Sequence, residues 1–248
     1  MTPNVDILRQ AVTDPRVGRV VRKADLRIAD GMPLVWASRL QGTPLRERLA
    51  FSEMVYPLAR AAAAKGLTFF LLGGEPGTAE LAAETLIGRV PELKVVGTYA
   101  PPLGFECVDS EIGQLVEALR SANAAIVICG FGCPKQEKLM FGLAPLFPST
   151  WFIGAGGTLT LLAGRTSPAP GWMRRSGLEW LHRLRLEPRR LFRRYVVDDI
   201  PFAIRLLWSS ALSRSSSRPV ECDEQPLSGA GSCSSDALTA CEWTQESA

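Results

Sequence analysis

Ile126–Glu137 reads IVICGFGCPKQE. Ile126, Val127 and Ile128 form a β-branched apolar run, the pattern of a strand buried on both faces. Gly130 and Gly132 follow, and glycine lets the backbone turn tightly and approach a ligand closely. Pro134 suits the first position of a helix, where its missing N–H costs nothing. The free N–H groups and the positive end of such a helix favour anionic ligands such as phosphates. Lys135, Gln136 and Glu137 bring polar and charged groups to the same mouth, which a purely structural turn does not need.

Working outward, two further junctions share this design. Leu67–Leu72 (LTFFLL) reads as a strand, followed by GGEPG and a helix over Thr78–Arg89. Trp151–Ile153 reads as a strand, followed by GAGGT and a short helix from about Leu159. The strand of the opening stretch spans Ala125–Cys129, and Leu26–Ala29 and Leu93–Tyr99 are expected as further strands. Helices are expected at Met54–Lys65, Ser110–Ser121 and Lys135–Leu143. Strands alternating with helices predict an α/β fold: a Rossmann-like, mostly parallel sheet with helices on both faces. Ligands of such sheets sit at the carboxyl ends of the strands. The glycine-rich turns would place Gly73, Gly74, Gly132, Lys135, Glu137, Gly154, Gly156, Gly157 and Thr158 on that edge, as candidates to line a nucleotide or sugar-nucleotide site. None of the turns carries the dinucleotide pattern G-x-G-x-x-G, and close packing alone also accounts for such glycines.

The 248 residues suffice for one α/β domain with appendages. A net charge of +3 does not by itself make a nucleic-acid binder. No apolar run reaches the length of a membrane-spanning helix. The start, MTPNVDILRQ, has no basic region followed by an apolar one, so it is not read as a signal peptide and the chain is expected in the cytoplasm. The six cysteines and the single His182 match no zinc spacing. Cys133 lies near a helix start, where a thiol can acidify, or is simply a small filler in a tight turn.

After Ala163 the character changes. The expected organisation is a catalytic-type domain over 1–170, a basic helical appendage over 171–212 and a disordered, Ser-rich tail over 213–248. Nine arginines fall between Met173 and Arg205, against Glu179, Glu187, Asp198 and Asp199. Leu178, Leu181 and Leu184 recur at helical spacing, and Pro188 suits the first turn of a second helix. Two readings stay open: an interfacial basic amphipathic element, or a helical pair packed on the core with a solvated arginine face. The aromatics of this stretch do not form a stacking platform for nucleic acid.

Asp30 falls just after one expected strand and before a helix. Asp-Gly is a common turn, and Asp is a good helix N-cap. If Leu26–Ala29 belongs to the same sheet, Asp30 instead reaches the ligand edge, where a carboxylate can serve as a general base. Arg48 offers a planar donor fork to a diphosphate, or a surface salt bridge with Glu47 or a helical neighbour.

Taken together, TPN (Thr2–Asn4), ADG (Ala29–Gly31), PLRERL (Pro44–Leu49), FFLLGGEPG (Phe69–Gly77), GFGCPKQE (Gly130–Glu137), GAGGTLTLLAGR (Gly154–Arg165) and GLEWLHRLRLEPRRLFRRY (Gly177–Tyr195) resemble the WecG/TagA/CpsF glycosyltransferases. The resemblance runs from Thr2 to about Phe202. It implies an inverting, metal-independent bacterial transferase with no cofactor. Such an enzyme moves a hexose of the N-acetylmannosamine type from a UDP-sugar to a polyprenyl-pyrophosphate-linked sugar in cell-surface polysaccharide or exopolysaccharide synthesis. It further implies a peripheral place on the inner face of the plasma membrane. By position, Asp30 matches the catalytic base, Arg48 the arginine facing the diphosphate, and Gln136 a glutamine near the donor. Thr2 and Asn4 match the T-x-N of the acceptor side. Arg183, Arg190 and Arg193 match appendage arginines that reach substrate phosphates or lipid headgroups. Self-association as a homo-oligomer stays open. The chain departs from the family pattern at Phe51, Thr160 and Pro168, and in starting close to Thr2. A weakened UDP-sugar-binding homologue, or another nucleotide-dependent α/β enzyme, is the alternative.

Overall fold

The computed structural model describes residues 1–213, and the Ser-rich tail beyond them lies outside the described residues. The chain opens with α1 (Val5–Thr13), α2 (Pro15–Lys23), α3 (Met32–Gln41) and α4 (Phe51–Ala64). It continues through β1 (Thr68–Gly73), α5 (Thr78–Arg89), β2 (Lys94–Tyr99), α6 (Asp109–Ala122), β3 (Ile126–Gly130), α7 (Lys135–Leu143), β4 (Trp151–Gly154) and α8 (Thr158–Leu162). It ends with α9 (Gly171–Arg175), α10 (Glu179–Leu186), α11 (Pro188–Phe192) and α12 (Ile200–Ser213), with a π-helical stretch, Arg193–Asp199, between the last two.

The four strands form one parallel sheet in the order β2-β1-β3-β4. Alternation along each strand sorts side chains to its two faces. Phe69, Leu71, Ile126 and Ile128 face α4, α5 and α8, where Val55, Ala59, Ala82, Leu86 and Leu159 meet them. Phe70, Leu72, Val127 and Cys129 face α6 and α7, against Leu115, Leu119, Met140 and Leu143. A strand buried on both sides must be apolar throughout, which is why LTFFLL and IVIC read as unbroken runs rather than alternating ones. In α5 the buried residues Ala79, Ala82, Ala83 and Leu86 recur at helical spacing and give the helix one inward face.

Local signals set the helix ends. The Asn4 side chain caps α1 by accepting from the Ile7 N–H at 3.0 Å. The Asp14 side chain caps α2 by accepting from the Arg16 N–H at 2.8 Å, with Pro15 opening the helix. Pro188 opens α11 in the same way. Pro134, expected inside its helix, is instead the residue just before α7. Gly31, not Asp30, stands at the cap position of α3, so the Asp30 carboxyl is not used as a cap.

Leu26–Ala29 is not a strand. It runs extended beside Met1–Pro3, with the Ile28 N–H donating to the Met1 carbonyl at 2.9 Å and the Asp30 N–H to the Pro3 carbonyl at 2.8 Å. A parallel ladder needs donors from both partners, and Pro3 has no N–H to return. Thr2 ties this pair to the sheet, its Oγ1 donating to the Gly154 carbonyl at the end of β4 (3.0 Å). Asp30 therefore reaches the carboxyl edge without a strand of its own.

Leu71 is fully buried at the centre of the sheet. Leu71→Ala is expected to lower unfolding stability in urea by about 2–5 kcal/mol, whereas Leu103→Ala, at a residue 100% exposed, should change it by less than about 0.5 kcal/mol. Circular dichroism across a urea titration checks both.

Candidate active site at the carboxyl edge

Because the sheet is parallel, the turns after β1, β3 and β4 lie on one edge. Gly73 and Gly74 carry φ of +105° and +83°, values a side chain rarely adopts. A Cβ on Gly73 would stand 2.9 Å from both the Gly130 carbonyl oxygen and the Phe131 ring, so this turn is close-packed against the next. Gly130 is pressed onto Leu159, where a Cβ would come within 2.6 Å of the side chain. Gly132, by contrast, has open space where a Cβ would stand. It is Gly130 that the close packing requires to be glycine.

Gln136 joins two of these turns. Its Oε1 accepts from the Phe131 N–H at 3.3 Å and from the Gly156 N–H at 2.9 Å, while its Nε2 donates to Glu137 Oε1 at 3.0 Å. The side chain is 3% exposed, and its amide is engaged within the protein. Gly154 must lack a side chain because Gln136 lies against it. Glu137 is equally buried, and its Oε2 has no hydrogen-bond partner among the described residues. Burial raises the proton affinity of Glu137 above the usual carboxylate range, against opposing hydrogen bonds from its own backbone, Gln136 and Cys133. Burial also raises the Cys133 and Cys129 thiols, helped by nearby Glu137, so neither is an activated nucleophile. Lys135 pairs with Glu106 and sits over the Phe105 ring, 5.5 Å from its centroid. Thr158 is buried in the first turn of α8, while Gly156 and Gly157 form the turn before it.

The expected acidic and basic residues meet beside this edge. Asp30 is partly buried and, among the described residues, forms no ion pair. Its carboxyl is pushed up to about 6, first by loss of water around it and next by repulsion from Glu179, against attraction by Arg48 and Arg183. Arg48 pairs not with Glu47 but with helical residues, Glu53 of α4 and Glu179 of α10. Its Nη1 donates to Glu179 Oε2 at 2.9 Å and its Nη2 to Glu53 Oε2 at 3.1 Å. Arg183 Nη2 donates to Glu179 Oε1 at 2.8 Å, and Arg174 Nη1 donates to Glu53 Oε1 at 3.1 Å. Loop, α4, α9 and α10 thus supply one cluster around Asp30.

Other expected residues stand apart from it. Arg190 pairs with Glu187 at 2.7 Å on the outer surface, and Arg193 is exposed. The Asn4 side chain is occupied as a helix cap, and the Thr2 hydroxyl holds Gly154. An open cleft of about 450 Å³ lies among Trp172, Met173, Leu181, His182, Leu184 and Arg185 of the C-terminal helices, and none of the expected site residues except its sequence neighbour Arg183 lies near it in the chain. Sequence reasoning passed over Glu179, Glu53 and Arg174. The signal for Glu179 was present in GLEW, an acid in the first turn of a helix otherwise rich in arginine. Phe51, at one of the departures named above, opens α4 and is buried in the core.

Known proteins carry the same arrangement of sequence. The profile of the glycosyl transferase WecG/TagA/CpsF family matches residues 1–216. A curated relative from Bacillus subtilis (strain 168), N-acetylglucosaminyldiphosphoundecaprenol N-acetyl-beta-D-mannosaminyltransferase, is 29% identical over 187 residues, covering 75% of this chain and 71% of the relative. With the match spanning the sheet, the Asp30 cluster and the C-terminal helices, this chain belongs to the WecG/TagA/CpsF family of glycosyltransferases.

Proposed function

We propose that this chain transfers a hexose of the N-acetylmannosamine type from a UDP-sugar to a polyprenyl-diphosphate-linked sugar, with inversion and without a metal ion. The observation that carries the reading is Asp30: a partly buried carboxylate with raised proton affinity and no ion pair among the described residues, beside arginines able to face a diphosphate. The relative's name describes transfer of N-acetyl-beta-D-mannosamine to N-acetylglucosaminyldiphosphoundecaprenol, which supports the acceptor class and the sugar type.

Asp30 accepts the proton of the attacking acceptor hydroxyl. The hydroxyl oxygen forms its bond to the anomeric carbon as the bond from that carbon to the diphosphate breaks. UDP leaves with the bonding electron pair. Arg48 and Arg183 offset the charge that develops on it, a task for preorganised donors as much as for a metal. Gln136 serves as a positioning residue for the turns after β3 and β4. The glycine-rich edge receives the nucleotide, and Thr2 and Asn4 shape the side from which the acceptor enters.

Residues 171–212 act in this reading as an appendage that meets the cytoplasmic face of the plasma membrane. Ile200, Ile204 and Trp208 recur every fourth residue and are exposed, Trp208 by 71%. Arg189, Arg190 and Arg193 stand near them in the chain. No helix of the described residues is long and apolar enough to cross a membrane. An exposed apolar stripe with arginines suits the interfacial layer.

Mass spectrometry of UDP-sugars incubated, in EDTA, with a short-chain polyprenyl-diphosphate sugar tests the transfer. Asp30→Asn is expected to lower kcat by about 10²–10⁴-fold with an unchanged circular dichroism spectrum, and normal turnover by that variant would refute the assignment of the base. Protonated Asp30 cannot accept a second proton, so kcat/KM should fall as pH drops through about 6. The profile should be level above that value, over a range in which the substrate phosphodiesters do not titrate. Reversing the charge of Arg190 and Arg193 should weaken sedimentation with anionic vesicles by more than tenfold, at about 1 kcal/mol for each arginine near the surface. Undiminished binding would argue against this surface as the anchor.

A further inference from the structure

Asp30 has more positive charge near it than it touches. Arg48 and Arg183 are both close enough to favour its ionised form. Neither donates to it. Both instead donate to Glu179, one to each carboxylate oxygen, at 2.9 and 2.8 Å. The second arm of the Arg48 fork goes to Glu53, which also holds Arg174. The charged groups facing Asp30 are therefore Glu179 and Arg183 from α10, Arg48 from the loop before α4, and Glu53 from α4. Of the three carboxylates, only Asp30 has no ion pair among the described residues.

This partition has a chemical consequence. An arginine bonded directly to an aspartate depresses its proton affinity by about one to three pH units. An aspartate so held is a poor acceptor for a hydroxyl proton. Yet the same arginines must stay near if they are to meet a diphosphate. A second carboxylate that occupies the arginine forks meets both needs. It keeps the guanidiniums in place and off the base. Glu179 is suited to this because its side chain reaches back from the first turn of α10, spans both arginines, and is itself held well ionised by them: its proton affinity stays below the usual range despite burial.

We propose that Glu179 is a positioning residue of the transfer reaction: by bridging Arg48 and Arg183 it keeps both guanidiniums away from the Asp30 carboxylate, which is thereby left free to take the acceptor's proton. The inference rests on the reading of Asp30 as the base, and it adds a role for an appendage carboxylate to that reading. A diphosphate brings further negative charge to the same two guanidiniums, which stay directed away from Asp30.

The test compares the acid limb of kcat/KM in two variants that remove opposite halves of one ion pair. Glu179→Gln removes a negative charge near Asp30 and releases two arginines toward it. Its limb should move down by about one pH unit, and its plateau should fall several-fold because the base is weaker. Arg183→Gln removes a positive charge and leaves Glu179 in place, so its limb should move up. Through-space charge alone also moves the limb in these two variants, so Glu179→Asp completes the test: it keeps the negative charge but is one methylene shorter and cannot span both forks, so its limb should also move down, and a limb left where it was in that variant would overturn the proposal. Should Glu179→Gln fail to fold, Glu179→Asp still decides, because it keeps the charge and shortens the bridge, and a limb unmoved in that variant rejects the proposal. Failure of the underlying reading is separately visible: it requires an active Asp30→Asn enzyme, whereas loss of the Glu179 role requires an inactive one together with an unmoved limb.

Discussion

The carboxyl edge depends on one side-chain amide. Gln136 Oε1 accepts from the Phe131 and Gly156 backbone N–H groups, which belong to turns leaving two adjacent strands. Buried N–H groups left without a partner cost free energy, so this amide does more than fill space. It fixes the spacing of the two turns, and Gly154 gives it room by having no side chain. Gly154 in turn accepts the Thr2 hydroxyl, and Pro3, the next residue, accepts the Asp30 N–H. A short path of hydrogen bonds thus runs from the glycine-rich turns to the carboxylate. Position travels along it: the turns that would receive a nucleotide and the acid that would receive a proton are referenced to the same strand end.

Two carboxyl groups near this edge have raised proton affinity, and their surroundings separate their roles. Glu137 is 2% exposed and bonded to Gln136 and Cys133. Its buried, incompletely bonded oxygen is a cost of seating the Gln136 amide. Asp30 is only partly buried and faces a mixed set of charges, Arg48 and Arg183 against Glu53 and Glu179. A perturbed carboxylate marks a functional site only where geometry also gives it access. By that criterion the partly exposed Asp30 is the candidate the proposal rests on, and the 2%-exposed Glu137 is the weaker one.

What the sequence carried well was periodicity. LTFFLL and IVIC are apolar without alternation because both sheet faces are covered, and the strands at Thr68–Gly73 and Ile126–Gly130 lie within a residue of where those runs place them. Helix spacing located α5, α6 and α7 to within a residue at each end. Leu26–Ala29 misled because an extended, partly apolar segment looks the same whether or not its neighbour can donate, and here the neighbour contains Pro3. The role of Gln136 was hidden for a related reason: a glutamine in a glycine-rich turn is equally suited to a ligand and to backbone N–H groups, and only coordinates show which it faces. Glu179 escaped notice because its partner Arg48 lies 131 residues away, and no local pattern encodes a contact of that range. The family resemblance supplied Asp30 and Arg48 as a pair, where composition alone favoured a turn and a surface salt bridge.

The C-terminal helices are held in register by charge at two separate places. One is the Arg48–Glu179–Arg183 bridge. The other joins α1 to the π-helical stretch: Asp6 takes Arg9 and Arg194, each at 2.7 Å, and Asp199 takes Arg9 at 3.1 Å. Burial, and then repulsion from Asp6, pushes Asp199 up to about 6 against the pull of Arg9 and Arg194. Buried ion pairs add little net stability, because desolvation offsets most of their attraction. An apolar contact would hold these helices as firmly, but it would tolerate sliding. Paired charges with fixed donor directions do not. The first anchor sets α10 against Asp30. The second sets the π-helical stretch against α1, whose cap Asn4 directly follows the Pro3 that holds Asp30. Both anchors therefore refer the arginines of the C-terminal helices to the same carboxylate, and the outward side of α12 is left to its exposed apolar residues.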